Sequence, residues 1–226
     1  MKIVILERNS VGLDTSVDEI SAFGDVISYP NTTAVDVKEK IKDAEIIIAN
    51  KAPLNEETLE NSPDVRLICE FATGYDNVDL AYCKSRGIKV ANVVNYSTDA
   101  VAQHTFALCF YVLEKLRHYD EYVKSGAYAA QDRFSNFDIP FTELSGKTWG
   151  IVGMGNIGRK VAGIARAFGC RVIFYSASGQ STCTEFERVD FDILLNESDF
   201  LSLHCPLSEK TRNLIHLEAL KKMKKS

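Results

Sequence analysis

Short apolar runs separated by stretches with helical spacing set the pattern of the first hundred residues. The runs at 2–6, 25–29, 45–49, 66–70 and 89–92 are rich in Ile, Val and Leu, and each has the length of a strand. Between them, 35–42, 56–61 and 78–86 read as helices, with Gly87 placed to end the last one. Strands and helices alternating at this spacing predict a parallel sheet covered on both faces.

The expected fold class is therefore α/β, beginning with a flavodoxin-like N-terminal domain over residues 1–98. From Thr98 or Asp99, either an acceptable N-cap, one long helical pattern runs to about Lys124, where Ser125-Gly126 ends it. Its middle, residues 106–113, is apolar on every side, which predicts burial between domains or between subunits and a homodimer formed through the helix near 99–124. Residues 127–145 lack periodicity and contain Pro140, as a connection crossing the next domain would.

A second domain, residues 99–226, opens on a strand at 148–152. A helix follows over 156–168, then a strand at 171–175, a helix at 186–196, a strand at 200–204 and a helix at 217–225. That order is the first half of a Rossmann dinucleotide-binding domain, which normally needs a second half for the nicotinamide side. With the strand order 3-2-1-4-5-6, strand 148–152 is expected to lose its fourth-strand neighbour and to lie as a naked apolar edge.

Composition limits the function classes. A chain of 226 residues that is 46% hydrophobic and 25% charged has the balance of a globular protein, and a net charge of −5 argues against a nucleic-acid surface. The basic run 221–225 reads as favourable charge at a helix end. Glu7 and Arg8 cut off the first apolar run far short of an export signal or membrane span. The six cysteines form no C-x-x-C pair, so they are expected to be reduced core residues of a cytoplasmic protein with no metal site.

The chemistry concentrates at Gly153-Met154-Gly155-Asn156-Ile157-Gly158, between a predicted strand and a predicted helix. In such a turn the first glycine permits the bend, the second lets backbone approach a pyrophosphate and the third lets helix pack on strand, while helix N–H groups stabilise the negative charge. A structural βα turn and a methyl-donor site are the alternatives. The second strand ends in Ser176-Ala177-Ser178-Gly179, without the carboxylate that would bind ribose hydroxyls. Ser176 and Ser178 can bond either ribose form, so NAD is expected and NADP is the alternative.

Four further stretches narrow the reading: Ala72-Thr73-Gly74-Tyr75-Asp76-Asn77-Val78-Asp79, Ala100-Val101-Ala102-Gln103-His104-Thr105, Leu144-Ser145-Gly146-Lys147-Thr148, and His204-Cys205-Pro206-Leu207 with Thr211. With these the chain resembles the D-isomer-specific 2-hydroxyacid dehydrogenases, from its first strand to Ser226. The resemblance implies a substrate domain at 1–98, an NAD(P)-binding domain at 99–226, and an active site in the cleft between them. It implies that Lys51, Thr73 and Gly74 face the substrate. Thr73, Gly153, Gly155, Asn156, Ile157, Gly158, Ser176, Cys205, Pro206 and Thr211 would bind the cofactor. Lys51 read alone is equally a surface lysine.

The implied reaction interconverts a small 2-oxo acid and its D-2-hydroxy acid. Family members use an Arg, a Glu and a His for it, and all three positions fall beyond the point matching Ser226, so no catalytic residue is carried over and the chain alone is expected to be inactive. His104 is expected to be a satisfied core or interdomain histidine, and His204 and Cys205 to point to opposite faces of a strand, poorly placed as a nucleophile–base pair. The alternative function is a non-catalytic dinucleotide-binding module that dimerises.

Overall fold

In the first unit of the chain, five parallel strands run in the order β2-β1-β3-β4-β5, the flavodoxin-like order. They are β1 (Lys2–Ile5), β2 (Asp25–Ser28), β3 (Ile46–Ala49), β4 (Leu67–Glu70) and β5 (Lys89–Asn92). This computed structural model describes residues 1–12 and 14–225. Leu13 and Ser226, the last residue of the second domain read from the sequence, lie outside the described residues. The chain divides into two compact units, Met1–Tyr96 and Ser97–Ser226.

Alternation along the strands gives the first sheet two buried faces. Val4, Ile47 and Ile68 lie in register and pack with Val37 and Ile41 of α1 (Val37–Ile41) and Leu59 of α2 (Glu56–Leu59). Ile3, Ile5 and Ile48 form the other layer, covered by Val17 and Ile20, the latter in a 3-10 helix over Asp18–Phe23 that the periodicity did not predict. The Asn55 side chain starts α2 through a capping box with Thr58, and the Asp79 side chain accepts from the Tyr82 amide to start α3 (Leu80–Ser85). The connection from β1 leads to one side of the sheet and β3 lies on the other. A crevice at the strand ends therefore belongs between β1 and β3.

The second unit carries α4 (Thr98–Leu113), α5 (Leu116–Lys124) and α6 (Ala127–Ala130) before its sheet. There follow β6 (Thr148–Val152), α7 (Asn156–Ala167), β7 (Arg171–Tyr175), β8 (Glu187–Arg188), α8 (Phe191–Glu197), β9 (Phe200–Leu203) and α9 (Leu217–Lys222). The strands are parallel, in the order β8-β7-β6-β9. The Phe106 ring of α4 lies 4.7 Å from Trp149 of β6, and the Trp149 indole donates to Ser202 Oγ of β9 at 2.9 Å.

Three expectations are corrected. Strand β6 is interior: β9 pairs along it from Trp149↔Phe200 to Val152↔Leu203, so the run at 200–203 takes the fourth-strand position and bears the free edge. The third position is filled by β8, whose two charged, exposed residues had been read into a helix; that helix begins only at Phe191. The long helix is also two. Lys115 adopts φ 51° and ψ 38°, a left-handed conformation that a right-handed helix cannot pass through. Within this chain α4 is not buried all round, because Leu108, Tyr111 and Val112 are 57%, 50% and 63% exposed.

Candidate functional site

At the C-terminal ends of β6, β7 and β9 the second unit opens a cleft of about 440 Å³. Of the residues singled out in the sequence, Gly153, Gly155, Ser176, Cys205, Pro206 and Thr211 line it. Sequence reasoning missed Gln180, Ser181, Ser208 and Lys210, which share that lining; they lie in loops without periodicity, and no motif marks them. No Asp or Glu is among the lining residues.

The three glycines differ in what surrounds them. Gly153 has φ +92°, and a Cβ there would lie 2.7 Å from the His204 carbonyl oxygen. Its amide donates to Tyr175 O at 2.9 Å while His204 N donates to Val152 O at 2.8 Å, so the bend is fastened to both neighbouring strands. A Cβ on Gly158 would run into the Gly153 carbonyl, so this glycine seats α7 on β6 and does not face the cleft. Around Gly155 nothing lies within 4 Å of the Cβ position. Asn156 opens α7, and Ile157 packs its side chain against the core, leaving its backbone as the part that can meet a ligand.

The loop beyond β9 is shaped by Thr211, whose hydroxyl donates to Pro206 O at 2.7 Å and accepts from Ser208 N at 2.8 Å. Ser176 is buried at the end of β7. Burial holds the His204 imidazole below its usual pKa and pushes the Cys205 thiol up. Both residues contribute to the cleft lining, just past the last residue of β9, Leu203, while Cys205 packs against the Val152, Ile173 and Leu194 cluster. His104 is exposed on α4, which corrects its placement in a core. Among the described residues no histidine forms an ion pair with a carboxylate, and no group of three or more His, Cys, Asp or Glu could hold a metal ion.

In the first unit, Lys51 follows β3 and Thr73-Gly74 follows β4. Thr73 Oγ1 donates to Val93 O at 3.0 Å, and Asn92 Nδ2 donates to Thr73 O at 2.7 Å. Neither bond uses the amides of Thr73 and Gly74. Lys51 is exposed, and its backbone amide, with those of Asn50 and Ala52, donates to Glu7 Oε2 at 2.8, 2.8 and 3.0 Å. Sequence reasoning overlooked Glu7. Its one signal was an acid directly after the first apolar run.

A family model described as "D-isomer specific 2-hydroxyacid dehydrogenase, NAD binding domain" matches residues 106–226. The chain belongs to the D-isomer specific 2-hydroxyacid dehydrogenase family. The hydroxypyruvate reductase of Blautia hydrogenotrophica is 36% identical over 231 residues, covering 99% of this chain and 71% of that protein. Among solved structures, an acyclic imino acid reductase in complex with NADPH and D-Arg is similar with TM-score 0.86 and 28% identity, over 99% of this chain and 71% of that one. The D-lactate dehydrogenase of Aquifex aeolicus, complexed with NAD and lactic acid, gives 0.81 and 30%, over 99% and 66%.

In this dehydrogenase family, then, residues 106–226 form the NAD-binding domain, and its glycine turn is the one just described. The cleft fits a dinucleotide. Backbone fills the space around Gly153 and Gly158, while the space at Gly155 is open beside the first turn of α7, where the helix dipole favours an anion.

Proposed function

We propose that this chain binds NAD(H) or NADP(H) in the cleft of its second unit and a small 2-oxo or 2-hydroxy acid at the strand ends of its first unit. The reaction it serves is the interconversion of a 2-oxo acid and the D-2-hydroxy acid. The observation that carries this reading is the open space at Gly155, where backbone can meet a pyrophosphate without a side chain between. When bound, the cofactor supplies or takes up the hydride. The chain's own residues bind and orient: Gly153, Gly155, Asn156 and Ile157 at the pyrophosphate with Gly158 seating the helix, Ser176 at the adenosine ribose, and Cys205, Pro206 and Thr211 along one wall.

Thr73, on this reading, serves both ligands, and the amides of Thr73 and Gly74, with the Lys51 ammonium, hold the acid's carboxylate. Residues 1–98 are thus a substrate domain and 99–226 a cofactor domain, in a cytoplasmic protein. Among the described residues no histidine is ion-paired with a carboxylate, and the reading is of cofactor binding without turnover by these 226 residues alone. Isothermal calorimetry with NADH and with NADPH, each followed by oxalate as a substrate mimic, tests the reading. No heat with either nucleotide sinks it.

A second reading, a dinucleotide-binding module that acts by dimerising, draws on the exposed apolar side chains Leu108, Tyr111 and Val112 of α4. Both readings include a homodimer through this helix. Sedimentation of the wild-type chain against Val112→Glu tests it.

A further inference from the structure

Glu70 ends β4 with 1% of its surface exposed. Its Oε1 accepts from Asn77 Nδ2 at 3.1 Å, and its Oε2 is buried with no partner. The other end of the same bond is in the same condition, for Asn77 Oδ1 is also buried and partnerless. The amide cannot be turned round to relieve this, because Asn77 Nδ2 also donates to Ala52 O at 3.0 Å and a carbonyl can only accept. Two lone acceptors on the two partners of one hydrogen bond are costly in a dry interior. Protonation of Oε2 would supply a donor for Oδ1 while Oε1 keeps accepting from Nδ2.

We propose that Glu70 is a neutral carboxylic acid that pairs with the Asn77 amide and thereby positions the loop after β3 against the loop after β4. The tie continues through backbone, since Leu54 N donates to Asn77 O at 2.9 Å and Asp79 N to Leu54 O at 2.8 Å. Residues 50–54 and 72–79 are thus held by the Asn77 Nδ2 bond to Ala52 O, its amide fixed by Glu70, and by one short backbone bridge. These are the segments to which the oxo acid is assigned above, so the part concerning substrate rests on that reading. The protonation and the tie do not.

The charges around Glu70 agree. Burial raises its carboxyl to about 7; the Asn77 hydrogen bond opposes this, Glu7 beyond β1 raises it, Lys51 beyond β3 lowers it, and Asp76 in the following loop raises it. Glu7 already collects three amides on one oxygen, and a second anion beside it is disfavoured. Glu70 is a positioning residue, with no role in the hydride step.

The test uses the full chain without ligands. An infrared difference spectrum, wild type minus Glu70→Gln, is expected to hold a protonated carboxyl band below neutrality that gives way to carboxylate bands above it. Glutamine can donate and accept as the neutral acid does, so Glu70→Gln is expected to keep hydrogen exchange in residues 50–54 and 72–79 at wild-type protection. Glu70→Ala should speed it about tenfold or more, the scale of one lost buried hydrogen bond.

After allowance for intrinsic rates, wild type should loosen in these segments as pH rises through neutrality, and Glu70→Gln should not. A carboxylate band well below neutrality overturns the proposal, as does exchange in Glu70→Gln that is fast or follows the wild-type pH profile. If Glu70→Ala does not fold, the infrared band and the Gln profile still decide. Failure of the substrate reading registers separately, as wild-type chain that does not bind oxalate while these readouts stand.

Discussion

The carbonyl oxygen of His204 lies 2.7 Å from where a Cβ would stand on Gly153, so β9 and the glycine turn are pressed backbone to backbone. Gly153→Ala adds a methyl to that contact and must hold φ near +92°. It should destabilise the chain by roughly 3 kcal/mol, read as a lowered thermal midpoint.

Gly155→Ala should spare stability and cost binding instead. Its Cβ meets no protein atom within 4 Å, and its φ of −79° suits alanine, so the stability cost should stay below about 1 kcal/mol, the scale of an N-cap change. The methyl would stand where the pyrophosphate is proposed to lie, and NADH affinity should fall about tenfold or more by calorimetry. Unchanged affinity would place the dinucleotide elsewhere.

Without a carboxylate in the cleft lining, and with Ser176, Ser178 and Lys210 in it, neither ribose form is repelled. NADH and NADPH should bind within about tenfold of each other, a difference of about 1.4 kcal/mol. A hundredfold gap in parallel titrations would contradict the part assigned to the serines.

Glu70 gives the pH dependence a sign. Its pKa is raised from 4.5 to about 7 in the folded chain, which therefore holds the proton more tightly than the unfolded chain does. Its contribution is complete below about 4.5 and is lost as pH rises through about 7, with a ceiling of roughly 3 kcal/mol. Asp36 and Asp43, whose pKa values are lowered chiefly by hydrogen bonds from Thr33 and Lys2, act oppositely in acid. Subtracting the Glu70→Gln stability profile isolates the Glu70 part; a difference that does not vary with pH contradicts it.

Thiol reactivity should be low. Burial pushes Cys109 up to about 11 and raises Cys69, Cys83, Cys170 and Cys205 as well. At neutral pH the Cys109 thiolate fraction is then about one in ten thousand, and alkylation of these five in the folded chain should lag far behind a free thiol.

Elements whose burial repeats along the chain were legible in the sequence. Strands β5, β6 and β7 begin and end where their apolar patterns do, and the glycine turn sits between strand and helix as its spacing predicts. What escaped depends on distant partners. Strand β8 is two charged residues, placed by pairing Ile173↔Glu187 and Phe174↔Arg188 and by the Arg171–Glu187 ion pair. The break at Lys115 interrupts a run with no glycine or proline between Thr98 and Lys124. The bond from Asn77 to Glu70 spans only seven residues, but it needs the second acceptor at Ala52, which no local pattern announces.

Three amides of residues 50–52 end on one carboxylate oxygen of Glu7, more than forty positions upstream. That loop has no finished shape until β1 has docked beside β3, because only the docked strand delivers its acceptor. Closing so long a span is slow compared with forming the helices nearby, and the entropy must be lost before any of the three bonds is gained. In refolding, then, this strand-end loop of the first unit should mature late, after the sheet has condensed beneath it.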